Sequence, residues 1–314
     1  MKNNFWKKLN KPILALAPMA GITDSAFRQI CIKQGADIVY SEMASSSALF
    51  FNPKKTLELV KFKKSERPYV VQLFGNNVEH FGVAVKIITQ KVKPDGIDIN
   101  FGCPAKKVYS IGSGAALMSD FKKSRQVIEE VLKNTNLPVS IKIRSKVGKK
   151  TGVNFIKYVK NLPIAAIMVH GRTYEQGFIG KVDYKSIKKI KEIFPGIVLG
   201  NGGINTPEEA MEIIKKTGIG GLGLARGVQG KPWLFEQIKN YLKNDKYKEK
   251  TVKQVFKIAI EHSKRAEKEK GEFGILEMRK HLCWYVKNMP EASKLRQKLI
   301  QVKSCTDVEK ILKV

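Results

Sequence analysis

The sequence predicts an α/β chain closed into a (β/α)8 barrel of the TIM type, followed by a small all-helical domain. Three observations carry this. Eight short β-rich runs alternate with amphipathic helical stretches between residue 13 and about residue 243. Eight βα units in so short a span favour a closed barrel over an open doubly wound sheet. Beyond about residue 245 the pattern becomes purely helical, so residues 1–243 are read as the barrel and 244–314 as the appended domain.

The predicted strands are 13–17, 37–41, 69–74, 96–100, 138–144, 165–170, 197–200 and 219–224, each bounded by turn-forming residues. Helical periodicity fills 77–91, 119–134, 183–193 and 206–217. The last opens with Thr206 as N-cap, Pro207 in the first turn and acids after it, the residue order a helix start favours. "NDKYKEKTV" reads as a charged linker. Helices are expected at about 251–270, 275–289, 291–302 and 306–313, broken at Gly271, Gly274 and Pro290.

Polar residues inside the strands obey one parity. Ser140, Lys142 and Arg144 alternate with Ile141 and Ile143, Asp98 and Asn100 alternate with Ile97 and Ile99, and Gln72 stands between Val71 and Leu73. His170 follows Val169 in the same sense. Period-two alternation sends the aliphatics outward beneath the helices and the polar groups into the barrel. Barrel interiors are normally apolar, so polar groups near several strand ends point to a site, with a satisfied polar layer as the alternative.

The formal net charge is +30, from 58 Lys and Arg against 28 Asp and Glu. Such a field draws polyanions, nucleic acid first. A solvated lysine-rich surface is the plainer alternative, and no lipidation motif or basic amphipathic anchor supports a membrane role. No apolar run reaches the ~18 residues of a membrane span. Residues 13–17, between Pro12 and Pro18, read as a buried strand rather than the core of a signal peptide. The four cysteines (Cys31, Cys103, Cys283 and Cys305) form no CxxC pair and only four histidines accompany them. This argues against zinc or a disulfide framework and for reduced thiols in the cytoplasm.

Glycine-rich "GNGGI" (200–204) and "ARGVQGKPW" (225–233) follow strands seven and eight, where barrels of this kind bind phosphate. Arg226 can add a bidentate charge-assisted bond, and ordinary tight turns are the alternative. "GSGAAL" (112–117) lacks a preceding strand and a third glycine, so it is no dinucleotide fingerprint. Pro18, Met19 and Ala20 close strand one, Gln72 lies in strand three, Lys142 in strand five and His170 in strand six. A flavin would use that set well, although Lys142 could instead pair with Asp98 or Glu42, and His170 could be a core histidine.

"APMAGITDSAFR" (17–28), "SEM" (41–43), "DINFGCPAKKV" (98–108), "IKIR" (141–144), "VHGRT" (169–173), "NGGI" (201–204) and "GKPWLF" (230–235) stand in one order. In that order they resemble the bacterial tRNA-dihydrouridine synthase family, and "MRKHLCWYVKNMP" (278–290) resembles its helical domain. The "CPAKKV" form is most similar to the B-type branch. The resemblance implies an FMN-bound barrel that reduces uridine in tRNA to 5,6-dihydrouridine with NADPH as electron donor. It assigns FMN to Pro18, Met19, Ala20, Gln72, Lys142, His170, Asn201, Gly202, Gly203, Ala225 and Arg226. Ala225 replaces the family's usual glycine and would be strained if φ there is positive.

Under this reading Cys103 is the catalytic acid. Saturating the C5–C6 bond of uracil needs hydride at C6 and a proton at C5, and one thiol, with no partner cysteine and no metal, suffices for the proton. Asn100, Lys106, Lys107, Arg144 and Arg172 are assigned to the substrate at the barrel mouth, and Arg279, Lys280, Lys287 and Arg296 to the tRNA body. A base inside folded RNA has to be flipped out to reach such a site. Trp284 and Tyr285 are expected to pack the helical domain. A monomer is the expectation. A flavin barrel acting on a free pyrimidine, like dihydroorotate dehydrogenases, and a non-catalytic tRNA-binding protein are the competing readings. The first leaves the charge and the helical domain without a purpose, and the second leaves Cys103, Lys142 and Arg226 without one.

Overall fold

The computed structural model describes residues 4–313. Eight parallel strands close into a barrel: β1 (Ile13–Leu16), β2 (Ile38–Ser45), β3 (Tyr69–Phe74), β4 (Gly96–Phe101), β5 (Val139–Arg144), β6 (Ala166–His170), β7 (Ile197–Asn201) and β8 (Gly221–Leu224). They pair in sequence order, with β8 returning to β1. Around them lie α1 (Ser25–Lys33), α2 (Val78–Ile87), α3 (Phe121–Lys133), α4 (Gly152–Val159), α5 (Tyr184–Ile193), α6 (Pro207–Thr217) and α7 (Leu234–Asn244), with two short helices, Ser46–Phe51 and Lys54–Leu59, after β2. The helical unit is α8 (Val252–Lys270), α9 (Glu272–Tyr285), α10 (Ala292–Leu299) and α11 (Cys305–Leu312).

Local chemistry sets these boundaries. Thr206 and Glu209 form a reciprocal capping box at the start of α6, and Gly218 ends it at φ 65°. Thr251 with Gln254 and Ser304 with Asp307 do the same for α8 and α11. One predicted break is corrected. α9 begins at Glu272 and runs through Gly274, because glycine there lets α9 approach α8: a Cβ would stand 2.2 Å from the Ala266 carbonyl oxygen. β2 also runs past its predicted end at residue 41, carried on by a bulge between Tyr40 and Met43 that sets Met43 beside Gln72.

The strand parity divides the core in two. Val71, Leu73, Ile97, Ile99, Ile141, Ile143, Ile167 and Val169 face the helices in the main core. A separate cluster of Ile13, Ala15, Ile38, Tyr40, Val70, Ala166, Met168 and Leu199 fills the barrel interior, closed below by Trp6 on the turn Phe5–Lys8. On β6 and β7 the inward column is apolar at its amino end and polar at its carboxyl end, as in Ala166–Met168–His170 and Ile197–Leu199–Asn201. Aliphatic layers therefore support a polar floor at the carboxyl mouth.

The helical unit has its own core, which takes in Ala26 and Ile30 of α1 and Trp233 ahead of α7. Polar ties reinforce that contact: Lys270 pairs with Asp24 at 2.8 Å, and Gln29 bonds both Glu269 and Arg265. Burial alone would raise the Asp24 pKa, but the charges of Lys270 and His262 hold it down to about 2. Tyr285 is buried and bonds His262 at 3.2 Å, the packing role expected of it. No helix among the described residues is long and apolar enough to cross a membrane.

Candidate active site

A cavity of about 580 Å³ opens at the carboxyl ends of the strands. All eleven residues assigned to the cofactor line it, together with Cys103, Asn100, Arg144 and Arg172. Sequence reasoning missed Met43, Phe178 and Gln229, which also line it. Phe178 is 51% exposed, with the Arg226 guanidinium 4.8 Å from its ring centroid. Its signal was present: "GFIG" (177–180) sets two apolar residues between glycines in a polar loop.

A chain of buried hydrogen bonds runs across the floor. Ser140 Oγ donates to Asp98 Oδ1 at 2.6 Å, and Gln72 Nε2 donates to Asp98 Oδ2 at 2.7 Å. Asn100 Nδ2 donates to Gln72 Oε1 at 2.9 Å. Asn100 Oδ1 accepts from the backbone N–H groups of Gly102 (3.0 Å) and Cys103 (2.9 Å). Thus the amide assigned to the substrate also anchors the cysteine loop, and its strand position alone did not reveal this. Asp98 is pushed up to about 6 by burial, against the hydrogen bonds from Gln72 and Ser140.

Cys103 is partly exposed and held at both ends, since its carbonyl accepts from Ala115 N–H at 3.2 Å. Arg144 is buried and tied to backbone carbonyls at the mouth: Nε donates to Gly102 O, and Nη1 to Thr173 O and Gly177 O, at 2.7–2.8 Å. It braces the loops after β4 and β6 while lining the cavity.

Lys142 Nζ lies 3.3 Å from Asn201 Oδ1, and Asn201 Nδ2 donates to Gly223 O at 2.6 Å. No ion pair to Asp98 or Glu42 forms among the described residues. Burial, with the charge of Arg144, brings Lys142 down to about 8, against the opposing pull of Asp98 and Cys103. His170 is held down to about 2 by burial and by Lys142, Arg144, Arg172 and Arg226, so it stands neutral at physiological pH. Those four cations line the cavity, and among the described residues no carboxylate does.

The lysine gives a pH prediction for the flavin-free protein. An unfolded lysine titrates near ~10.4, so between pH ~8 and ~10.4 the unfolded chain binds more protons and stability rises with pH. Lys142→Met should be more stable than the parent by about 2 kcal/mol at pH 7, and the difference should shrink toward pH 10. Urea denaturation at pH 7 and 9.5 checks this. A pH-independent difference would return Lys142 to an ordinary pKa.

Ala225 has φ −125°, so alanine meets no left-handed penalty there. Gly202 and Gly203 do adopt positive φ, 102° and 70°. A Cβ on Gly202 would meet His170 Cδ2 at 2.5 Å, so only glycine fits. Arg172, assigned to the rim, is corrected: it is 9% exposed and packs against this glycine turn, because Nε is tied inward to Gly180 O at 2.8 Å.

The other assigned cations lie outside the cavity. Lys106 and Lys107 are exposed at the start of the short helix Lys106–Tyr109, directly after the Cys103 loop. Lys280 reaches the β1 loop, with Nζ 3.9 Å from the place of a Gly21 Cβ. Arg279 spends two N–H groups on the Val302 carbonyl at 2.8–3.0 Å, bracing the helical unit. Lys287 is exposed and Arg296 half-buried.

The sequence model of the dihydrouridine synthase (Dus) family matches residues 15–314. The tRNA-dihydrouridine synthase B of Pseudomonas aeruginosa is 34% identical over 287 residues, covering 90% of this chain and 86% of that one. The protein of that name from Vibrio vulnificus is 32% identical over 301 residues, covering 95% and 92%. Among solved structures, a 6-hydroxypseudooxynicotine amine oxidase from Pseudomonas geniculata superposes with a TM-score of 0.58 at 13% identity. It covers 74% of this chain and 47% of that one, and the agreement is one of barrel fold. A match along nearly the whole chain, on a barrel with a cysteine fixed at a cationic mouth, leads to one conclusion: this chain belongs to the dihydrouridine synthase family.

Proposed function

We propose that the chain reduces uridine in tRNA to 5,6-dihydrouridine, with FMN in the barrel mouth and NADPH as the source of electrons. The observation that carries the reading is Cys103, pinned by Asn100 and Ala115 at the edge of a cationic cavity without carboxylates, in a chain of this family. The residues present fit FMN. A double-glycine cradle and a buried guanidinium N–H without a partner stand at one end, which suits a phosphate. An amide held in one orientation by Asp98 and Asn100 stands beneath the other part of the cavity.

When bound, FMN supplies the hydride for C6 of the base. Cys103 Sγ gives the proton to C5, and Asn100 fixes the loop from which it does so. Lys142 and Arg144 line the same cavity as the thiol and supply positive charge there. Lys142, steadied by Asn201, also compensates negative charge that develops in the cavity. Neutral His170 offers a hydrogen bond without adding to the local charge.

The exposed Lys106 and Lys107 sit where phosphates beside an extruded base would pass, while Lys280, Lys287 and Arg296 extend the cationic surface for the tRNA body. The test is anaerobic NADPH oxidation with unmodified and native tRNA, followed by digestion and mass analysis. At least tenfold faster oxidation with tRNA and a two-dalton gain on a defined uridine are expected. Oxidation indifferent to tRNA, with unchanged digests, would overturn the reading in favour of a free pyrimidine.

A further inference from the structure

The loop after β6, the glycine turn after β7 and the arginine after β8 meet at one end of the cavity, where one buried donor has nothing to bond. Arg172 Nε is satisfied by Gly180 O, but Nη1 is buried without a partner. A buried donor left unsatisfied costs about 1–3 kcal/mol, more on a charged group, so this is an arrangement that a ligand completes. The guanidinium faces the glycine turn: a Cβ on Gly202 would lie 3.3 Å from Nη1, and one on Gly203 3.7 Å from Nη2. Burial, and then the charge of Arg226, lowers the pKa of Arg172. Both cations line the cavity, and among the described residues no carboxylate does.

Resting on the flavin reading above, we infer that Arg172 is a second guanidinium of the cofactor-phosphate site, acting with Arg226 so that the cavity selects a flavin carrying a terminal phosphate dianion over riboflavin. A backbone phosphate of tRNA is the wrong partner for it. The side chain lies beneath the Phe178–Gly180 segment, whose carbonyls accept from Arg226 Nη2 and Arg172 Nε at 2.8 Å each. Arg172 and Arg226 both line the cavity, so a small dianion bound there is drawn to two guanidinium groups, which hold it by charge-assisted bonds.

The test titrates flavin-free protein with FMN and with riboflavin, following the quenching of flavin fluorescence, in the parent, Arg172→Gln and Arg172→Lys. Arg172→Gln should weaken FMN about thirtyfold while riboflavin changes by less than about threefold, and inorganic phosphate should compete less well with FMN. Arg172→Lys keeps the charge without the fork and should fall between. A merely structural role, through the Gly180 anchor, would weaken both flavins alike, and an unchanged FMN to riboflavin ratio would overturn the assignment. If the glutamine variant fails to fold, the same ratio in the lysine variant decides. A parent that binds neither flavin would instead overturn the flavin reading itself, and this inference with it.

Discussion

Replacing Cys103 with alanine is expected to lower tRNA-dependent turnover by about 10²–10³-fold while the protein keeps its flavin. The thiol is partly exposed on a loop, bonds nothing through sulfur among the described residues and lies at the cavity wall, so its removal leaves no core void. The loss should fall on one half of the reaction only. Bleaching of bound flavin by NADPH should proceed at the parent rate, and its reoxidation by tRNA should slow. Parent-like reoxidation would remove Cys103 from the chemistry. Asn100→Ala provides the contrast, because it keeps the thiol and removes the acceptor for the Gly102 and Cys103 N–H groups. It should cost about tenfold in turnover and about 1–3 kcal/mol of stability, the price of unpaired buried donors and of Gln72 without its partner. A thiol that needs only to be present, and not positioned, would make Asn100→Ala behave like the parent in turnover.

The contrast also marks what the sequence made legible. Alternation in "SIKIR" and "DIN" put Lys142, Arg144, Asp98 and Asn100 on the inner face, and all four lie there. Parity gives the face but neither depth nor hydrogen-bond partners. Asn100 and Lys142 are register neighbours on β4 and β5, yet one turns back to the cysteine loop and the other across to Asn201. Arg172 read as a rim cation because it stands two residues past the end of β6, and only the fold shows the Gly180 carbonyl that draws it inward. Gly274 read as a break because helix propensity is local, whereas its use is a tertiary contact with Ala266. Trp6 showed no periodicity to place it under the barrel, since a plug belongs to neither a strand nor a helix pattern.

Where the barrel meets the helical unit, Gly230→Ala is expected to lower kcat/KM for tRNA by about 10²-fold and stability by about 3 kcal/mol, with flavin retained. Gly230 has φ 70°, and a Cβ there would lie 2.4 Å from the backbone carbon and oxygen of Trp284 in α9. Backbone cannot swing aside as a long side chain can, so α9 has to move. The next residues make that movement costly: Trp233, three positions on, is buried in the helical core beside Tyr285. Because α8 and α9 are fixed to α1 as well, the helical unit has no free hinge in which to absorb the shift. Displacing α9 displaces Lys280 from the β1 loop and Lys287 beyond it, so the cations proposed to hold the tRNA body lose their register with the cavity, while Ala225 and Arg226 stay at the carboxyl end of β8. Gly271→Ala separates backbone strain from the clash. Its φ is 58° and its ψ −144°, a conformation glycine favours, but nothing lies within 4 Å of its Cβ position, so it should cost about 1–3 kcal/mol and leave tRNA turnover unchanged. Denaturant midpoints and steady-state kinetics on the two variants give the comparison. If Gly230→Ala matched Gly271→Ala in kcat/KM, the close contact with Trp284 would be packing alone, and the tRNA would have to be positioned by the barrel rim.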